Sequence, residues 1–159
     1  MTARLIPKFV LSGMAAATLT ACGGPAPPPP PPVLQLTLTG SADQNPGADS
    51  APRPVSVRLY QLAATQKFVN ADVFALVDRE QTTLGADDLG SDQVVLKPAE
   101  TRAIEQTLKS GTQALGVVVL FHDIDNAQWR ASAPVAASGT SKLVLNVEKL
   151  SVSLKPDNK

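Results

Sequence analysis

The chain has 159 residues, one cysteine, and 14 basic against 14 acidic residues. A lone cysteine cannot close an intramolecular disulfide, so the fold must be held by its core, and that core is mainly aliphatic because the chain has only four Phe, one Trp and one Tyr. Arg4 and Lys8 lie in a segment expected to be removed, which takes the 14 basic residues to 12 against 14 acidic. A balance near neutrality gives no support to nucleic-acid binding, which needs a basic face.

Met1 to Lys8 carries two positive charges and no negative one, and Phe9 to Leu19 is apolar or small. This is the plan of a secretory signal: a charged start, then a short apolar run. The run is too short for a permanent span, which takes ~20 apolar residues. Leu19-Thr20-Ala21-Cys22 follows and resembles the lipobox of bacterial lipoproteins. That resemblance implies cleavage before Cys22, a diacylglyceryl group on its thiol and an acylated new amine, palmitate-type chains that form the anchor. Gly23 stands where Asp would favour inner-membrane retention, so the outer membrane is expected, with the folded part facing the periplasm.

Gly23 to Pro32 contains seven prolines. Proline lacks the N–H donor and fixes φ, so this stretch forms neither helix nor ladder. It reads as an extended, stiff tether rising ~3.1 Å per residue. The expected organisation is a signal peptide over 1–21, a lipidated Cys22 with its tether over 22–32, one folded domain over 33–155, and a tail over 156–159.

The folded part reads as strands. Val33 to Thr39 alternates, with Leu34, Leu36 and Leu38 on one face. Gly40 to Pro54 is almost free of large apolar residues and carries Asn45-Pro46-Gly47, a turn signal. A loop of that length in a small domain is unusual and often functional. Val55 to Leu62 alternates again. Between Lys67 and Glu80, Phe68, Val73, Phe74, Leu76 and Val77 are spaced for a short helix, with Asn70 or Asp72 able to cap its start. Leu84 to Ser91 reads as a turn-rich connection, and Val94 to Leu96 as a short strand.

Glu100 to Leu108 suits a helix through Ile104 and Leu108 but also alternates, and strand is favoured. Leu115 to Ile124 is apolar on both faces in its middle, which places it centrally in a sheet. Trp129 to Val135 reads as a strand stopped by Pro134, and Lys142 to Leu154 as an alternating run. The expected fold is mainly β: a sandwich of about seven to eight strands with a short helical insertion.

Val57-Arg-Leu-Tyr-Gln-Leu, Phe68-Val-Asn-Ala-Asp-Val-Phe-Ala-Leu, Leu84-Gly-Ala-Asp-Asp-Leu, Leu115-Gly-Val-Val-Val-Leu-Phe-His-Asp-Ile and Ala127-Gln-Trp-Arg occur in this order behind the lipobox. The set resembles the TssJ (SciN) lipoproteins of type VI secretion systems. His122, where the family often has Arg, and the long proline run are departures. The resemblance implies a transthyretin-like sandwich without enzymatic activity. It also implies a role in anchoring the membrane complex at the outer membrane, by binding the periplasmic C-terminal part of the inner-membrane protein TssM. The family's contact loop lies between the first two strands, here Gly40 to Pro54, where Asn45, Asp49 and Arg53 are the expected polar contacts.

Other chemistry is weak in this sequence. His122, Asp123 and Asp125 cluster at a strand end, but with no second His and no free thiol they read as a turn rather than a metal site. Asp87, Asp88 and Asp92 lack calcium-loop spacing. One His without a nucleophile turn defines no catalytic set, so no catalytic residue and no cofactor beyond the lipid on Cys22 are expected. Trp129 and Arg130 read as packing and pairing residues. A carrier- or inhibitor-type binding lipoprotein is the alternative, and an envelope hydrolase is weaker still.

Overall fold

The structure is a computed structural model that describes residues 29–157. The signal peptide, Cys22, most of the tether and the last two residues lie outside that range. Within it, the period-2 patterns become eight strands: β1 (Pro32–Gly40), β2 (Val55–Leu62), β3 (Asp88–Leu96), β4 (Thr101–Thr107), β5 (Ala114–Leu120), β6 (Arg130–Pro134), β7 (Gly139–Val147) and β8 (Val152–Pro156). They form two four-stranded sheets in the orders β4-β1-β7-β8 and β3-β2-β5-β6. Every pairing is antiparallel except β1 with β7, which is parallel. The sandwich core takes Leu34, Leu36 and Leu38 from β1, Val55, Val57 and Leu59 from β2, Leu115, Val117 and Val119 from β5, and Leu143, Leu145 and Val147 from β7. Alternation survives in β1 because its other face meets solvent.

β5 is internal to its sheet and buried on both faces, as its sequence indicates. What covers its second face is a helical layer. Between β2 and β3 the chain forms α1 (Gln66–Asn70), α2 (Val73–Asp78) and α3 (Glu80–Leu84), then a 3-10 turn at Gly85–Asp87. The single helix expected over this stretch is therefore three. The break falls at Ala71, which is extended, and Asp72 restarts the chain as cap of α2 by accepting from the Ala75 N–H at 2.8 Å. Phe68, Val73, Leu76 and Leu84 pack on Tyr60, Leu62, Ala114 and Val118, forming a second apolar cluster.

Polar bonds fix the layer in place. The buried Tyr60 hydroxyl donates to Leu76 O at 3.0 Å, and burial pushes its pKa up to about 12. Arg58 donates to Val77 O and to Glu80 Oε2, both at 2.8 Å. Burial, with Asp88 adding to it, nonetheless raises the Glu80 carboxyl above its ordinary value. Desolvation outweighs the attraction, so this pair orients α3 rather than supplying much stability. Arg130 donates to Phe68 O at 2.9 Å and Ala71 O at 2.7 Å, with its guanidinium 4.7 Å from the Trp129 ring centroid. Burial lowers the Arg130 pKa. Trp129 and Arg130 thus pack and pair within the fold, as expected.

Phe68 approaches the sheet closely enough to require glycine opposite it. A Cβ at Gly116 would lie 2.8 Å from Leu62 Cδ1 and 2.9 Å from Phe68 Cζ. Both neighbours are fully buried and cannot swing away. Gly116→Val is therefore expected to destabilise by about 1–3 kcal/mol, the usual size of overpacking. Chemical denaturation would read it, and an unchanged midpoint would mean that the layer is not packed as described.

β1 starts at Pro32, the last residue of the expected tether, because its carbonyl can still accept from the Leu108 N–H although it has no N–H to give. Larger differences from the sequence reading fall in β3, β5 and the β7–β8 stretch. β3 starts at Asp88, six residues before the apolar Val94. It is an edge strand whose ladder to β2 runs from Leu62↔Asp88 to Val55↔Leu96, and backbone pairing needs no apolar side chains. Lys142 to Leu154 is not one run but β7 and β8, turned by the Glu148 N–H donating to Ser151 O at 2.8 Å. β5 ends at Leu120, so Phe121 to Ile124 leaves the sheet.

Candidate functional site

The two ends of the sandwich are built differently. At one end β1 begins: the Leu108 N–H donates to Pro32 O at 2.9 Å, and the Gln113 N–H to Leu62 O at 2.8 Å. At the other end β1 finishes, and the loop from Ser41 to Pro54 spreads over it. Two further segments meet that loop there. They are the β5–β6 connection, beginning at Phe121, and the β7–β8 turn around Lys149.

The loop is pinned by two buried amides. Gln44 is fully buried, and its Nε2 donates to Leu96 O at 2.8 Å and to Arg53 O at 3.3 Å. Asn45 is 5% exposed. Its Nδ2 donates to Pro54 O at 2.9 Å, its Oδ1 accepts from the His122 N–H at 2.7 Å, and its backbone N–H donates to Lys149 O at 2.9 Å. One residue thereby joins all three segments of this tip. Its φ of 45° lies in the left-handed region, which Asn tolerates better than most residues. Of the three residues expected to reach a partner, Asn45 is thus turned inward, because its amide is committed to the fold.

Asp49 and Arg53 are different. Their side chains are 59% and 52% exposed and pair at 3.1 Å. The Ala51 N–H, then Arg53, hold the Asp49 carboxyl below its ordinary value. The pair lies across the loop beside Gly47, where a Cβ would overlap Arg53 Nε. Between this loop and the neighbouring segments runs a depression of about 380 Å³, lined by Pro46, Ala48, Ser50, His122, Asp123 and Lys149 among others. The tip therefore presents a preformed polar surface with both signs of charge.

Sequence reasoning missed Gln44, and it missed the inward role of Asn45. The Asn-Pro-Gly signal marked the turn but not its burial. The expected turn after β5 is present: Asn126 Nδ2 donates to Asp123 Oδ1 at 3.0 Å around the 3-10 turn Ile124–Asn126. His122 enters the network through its backbone. Asp87 pairs with Lys67 at 3.1 Å, and Asp88 Oδ1 accepts from the Gly90 N–H. Among the described residues no three His, Cys, Asp or Glu side chains gather as a metal group, and no helix is long and apolar enough to cross a membrane. Cys22 lies outside the described residues.

Residues 32–150, from the first strand to the β7–β8 turn, match the family model T6SS-SciN, described as type VI secretion lipoprotein (VasD, EvfM, TssJ). The chain belongs to this family. Its structure is similar to a crystal structure of the type VI secretion lipoprotein TssJ1 from Pseudomonas aeruginosa, at 35% identity and a TM-score of 0.78, covering 82% of this chain and 99% of that one. It shares its fold with the Serratia marcescens protein Lip, titled a membrane-bound component of the type VI secretion system. That match has 23% identity and a TM-score of 0.72, over 81% of this chain and 98% of that one. A chain in a structure titled type VI membrane complex matches at 25% identity and a TM-score of 0.68, over 78% of this chain and 98% of that one. No curated protein matches the chain in sequence. The mainly β, transthyretin-like sandwich of a type VI secretion lipoprotein is therefore the fold of this chain.

Proposed function

We propose that this TssJ-family lipoprotein anchors the type VI membrane complex to the outer membrane, and that its tip binds the periplasmic domain of TssM. The observation that carries the reading is the opposition of the two ends. The chain enters the domain at the start of β1, directly after the tether. The pinned loop lies at the far end of the same strand. The nine residues of β1 set the tip on the order of 30 Å beyond the point where the chain enters the domain. A surface so placed faces the periplasm and can meet a protein rising from the inner membrane. Anchoring also holds the tip at high local concentration near the outer membrane, so a modest interface suffices.

The role is mechanical and non-enzymatic: a lipid on Cys22 holds, and a rigid surface binds. The carrier alternative gains no support from the space between the sheets, where Leu34, Leu36, Leu38, Val57 and Val117 pack as one buried cluster.

Deleting residues 42–51 would be a poor test, because it removes Gln44 and Asn45 and with them the tip itself. Asp49→Arg combined with Arg53→Glu keeps an ion pair and inverts its polarity. It is expected to weaken TssM binding by about tenfold or more, the size of effect seen when complementary charges are reversed at an interface. Co-purification from detergent-solubilised envelopes and a direct affinity measurement would read it. Unchanged binding would remove this loop from the interface.

A further inference from the structure

Phe74 lies on α2 with 62% of its surface exposed. One exposed aromatic is unremarkable alone. This one, however, sits in a groove of about 320 Å³ whose walls are Val73, Val77, Leu120, Phe121 and Ile124, with Asp78 at the edge. The exposure does not come from a loose helix. Asp72 caps α2 at 2.8 Å, Tyr60 and Arg58 bond its carbonyls at Leu76 and Val77, and Thr83 Oγ1 donates to Ala75 O at 2.9 Å. The groove also adjoins the tip across the segment that follows β5. Phe121 and Ile124 line it, while His122 and Asp123, between them in sequence, line the depression beside the loop.

The one charged residue that lines the groove is acidic. Asp78 lies on its edge, and Asp72 and Asp125 adjoin its lining residues Val73 and Ile124. On the same segments Arg79 is the one basic residue, since Arg58 beneath is bonded to Val77 O and Glu80. A two-fold dimer through this face would set acidic rim against acidic rim, which argues against a second copy.

We propose that the α2 groove is a second contact for the same partner, receiving a bulky apolar side chain carried between basic residues. This rests on the proposed binding of TssM at the tip, and it extends that interface from a polar loop to an apolar anchor. Interfaces of this kind draw most of their affinity from a few buried aromatic contacts ringed by polar ones.

The test uses the full lipidated chain in nanodiscs and the detergent-solubilised inner-membrane partner. Phe74→Ser is expected to weaken binding about 30-fold, as a hot-spot aromatic does. Its melting temperature should be unchanged, because the side chain is mostly in solvent. Asp78→Lys with Asp125→Lys should slow association and flatten its salt dependence. If Phe74→Ser binds as wild type while the inverted Asp49–Arg53 pair does not, the groove inference fails and the tip reading stands. If neither variant changes binding, both fail. If Phe74→Ser instead dissolves a dimer seen by sedimentation and leaves partner binding intact, the groove's occupant is a second copy and the inference is overturned.

Discussion

Cys22→Ser is expected to move this lipoprotein from the membrane fraction to the soluble periplasmic fraction. Each methylene buried in the bilayer contributes about 0.8 kcal/mol, and a single acyl chain holds only marginally. On the proposed lipidation, several chains sit on this one residue, so its loss removes the whole anchor and not a share of it. No helix in the described domain is long and apolar enough to cross a membrane. The folded domain should be unaffected, because β1 begins at Pro32, ten residues beyond the cysteine. Fractionation with carbonate extraction reads the first outcome and circular dichroism the second. A mutant that still sediments with membranes would place the anchor elsewhere.

The fold was legible where one physical demand dominated each residue. Leu34, Leu36 and Leu38 face a core while Gln35, Thr37 and Thr39 face solvent, so β1 shows its period directly. β5 is covered on both faces, and its unbroken apolar run says so. β3 was legible only at its end, Val94 to Leu96, because the rest of this edge strand is held by its backbone and its side chains carry no period. The helical insertion was legible as helix but not as three helices. The break at Ala71 depends on the Asp72 cap and on carbonyls captured by Arg130, a residue about 60 positions away that the pattern over 67–80 does not include.

The site was legible only in outline. A polar loop of unusual length between β1 and β2 marked the place. Which of its residues face outward could not be read locally, because the partners that bury Gln44 and Asn45 lie far along the chain, at Leu96 and His122. Asp49 and Arg53 remained exposed, with their nearest bonds inside the loop. Phe74 was counted with the apolar face of a helix. Its neighbours Leu120, Phe121 and Ile124 come from the end of β5 and the segment after it, so the groove exists only in the folded arrangement.

Asn45→Ala is expected to lower the stability of the domain by about 2–4 kcal/mol. The change deletes a donor and an acceptor together and leaves Pro54 O and the His122 N–H without these partners. Full burial of a stranded group costs about 1–3 kcal/mol, and these two partly buried bonds lose a share of that each. Alanine is also less tolerant than Asn of the left-handed backbone at this position. Asp49→Ala, on the exposed side of the same loop, should leave the denaturation midpoint where it is, since its bonds to Arg53 and to the Ala51 N–H are both exposed to solvent. The two variants therefore separate the roles within one loop: Asn45 builds the tip and Asp49 faces outward from it. Hydrogen exchange should show the same division, with the His122 amide exchanging faster in Asn45→Ala and unchanged in Asp49→Ala. If Asn45→Ala melts like the wild type and keeps His122 protected, the three segments are held together by something other than this side chain. The tip would then be no more rigid than an ordinary surface loop, and the case for it as a preformed binding surface would lose its physical basis.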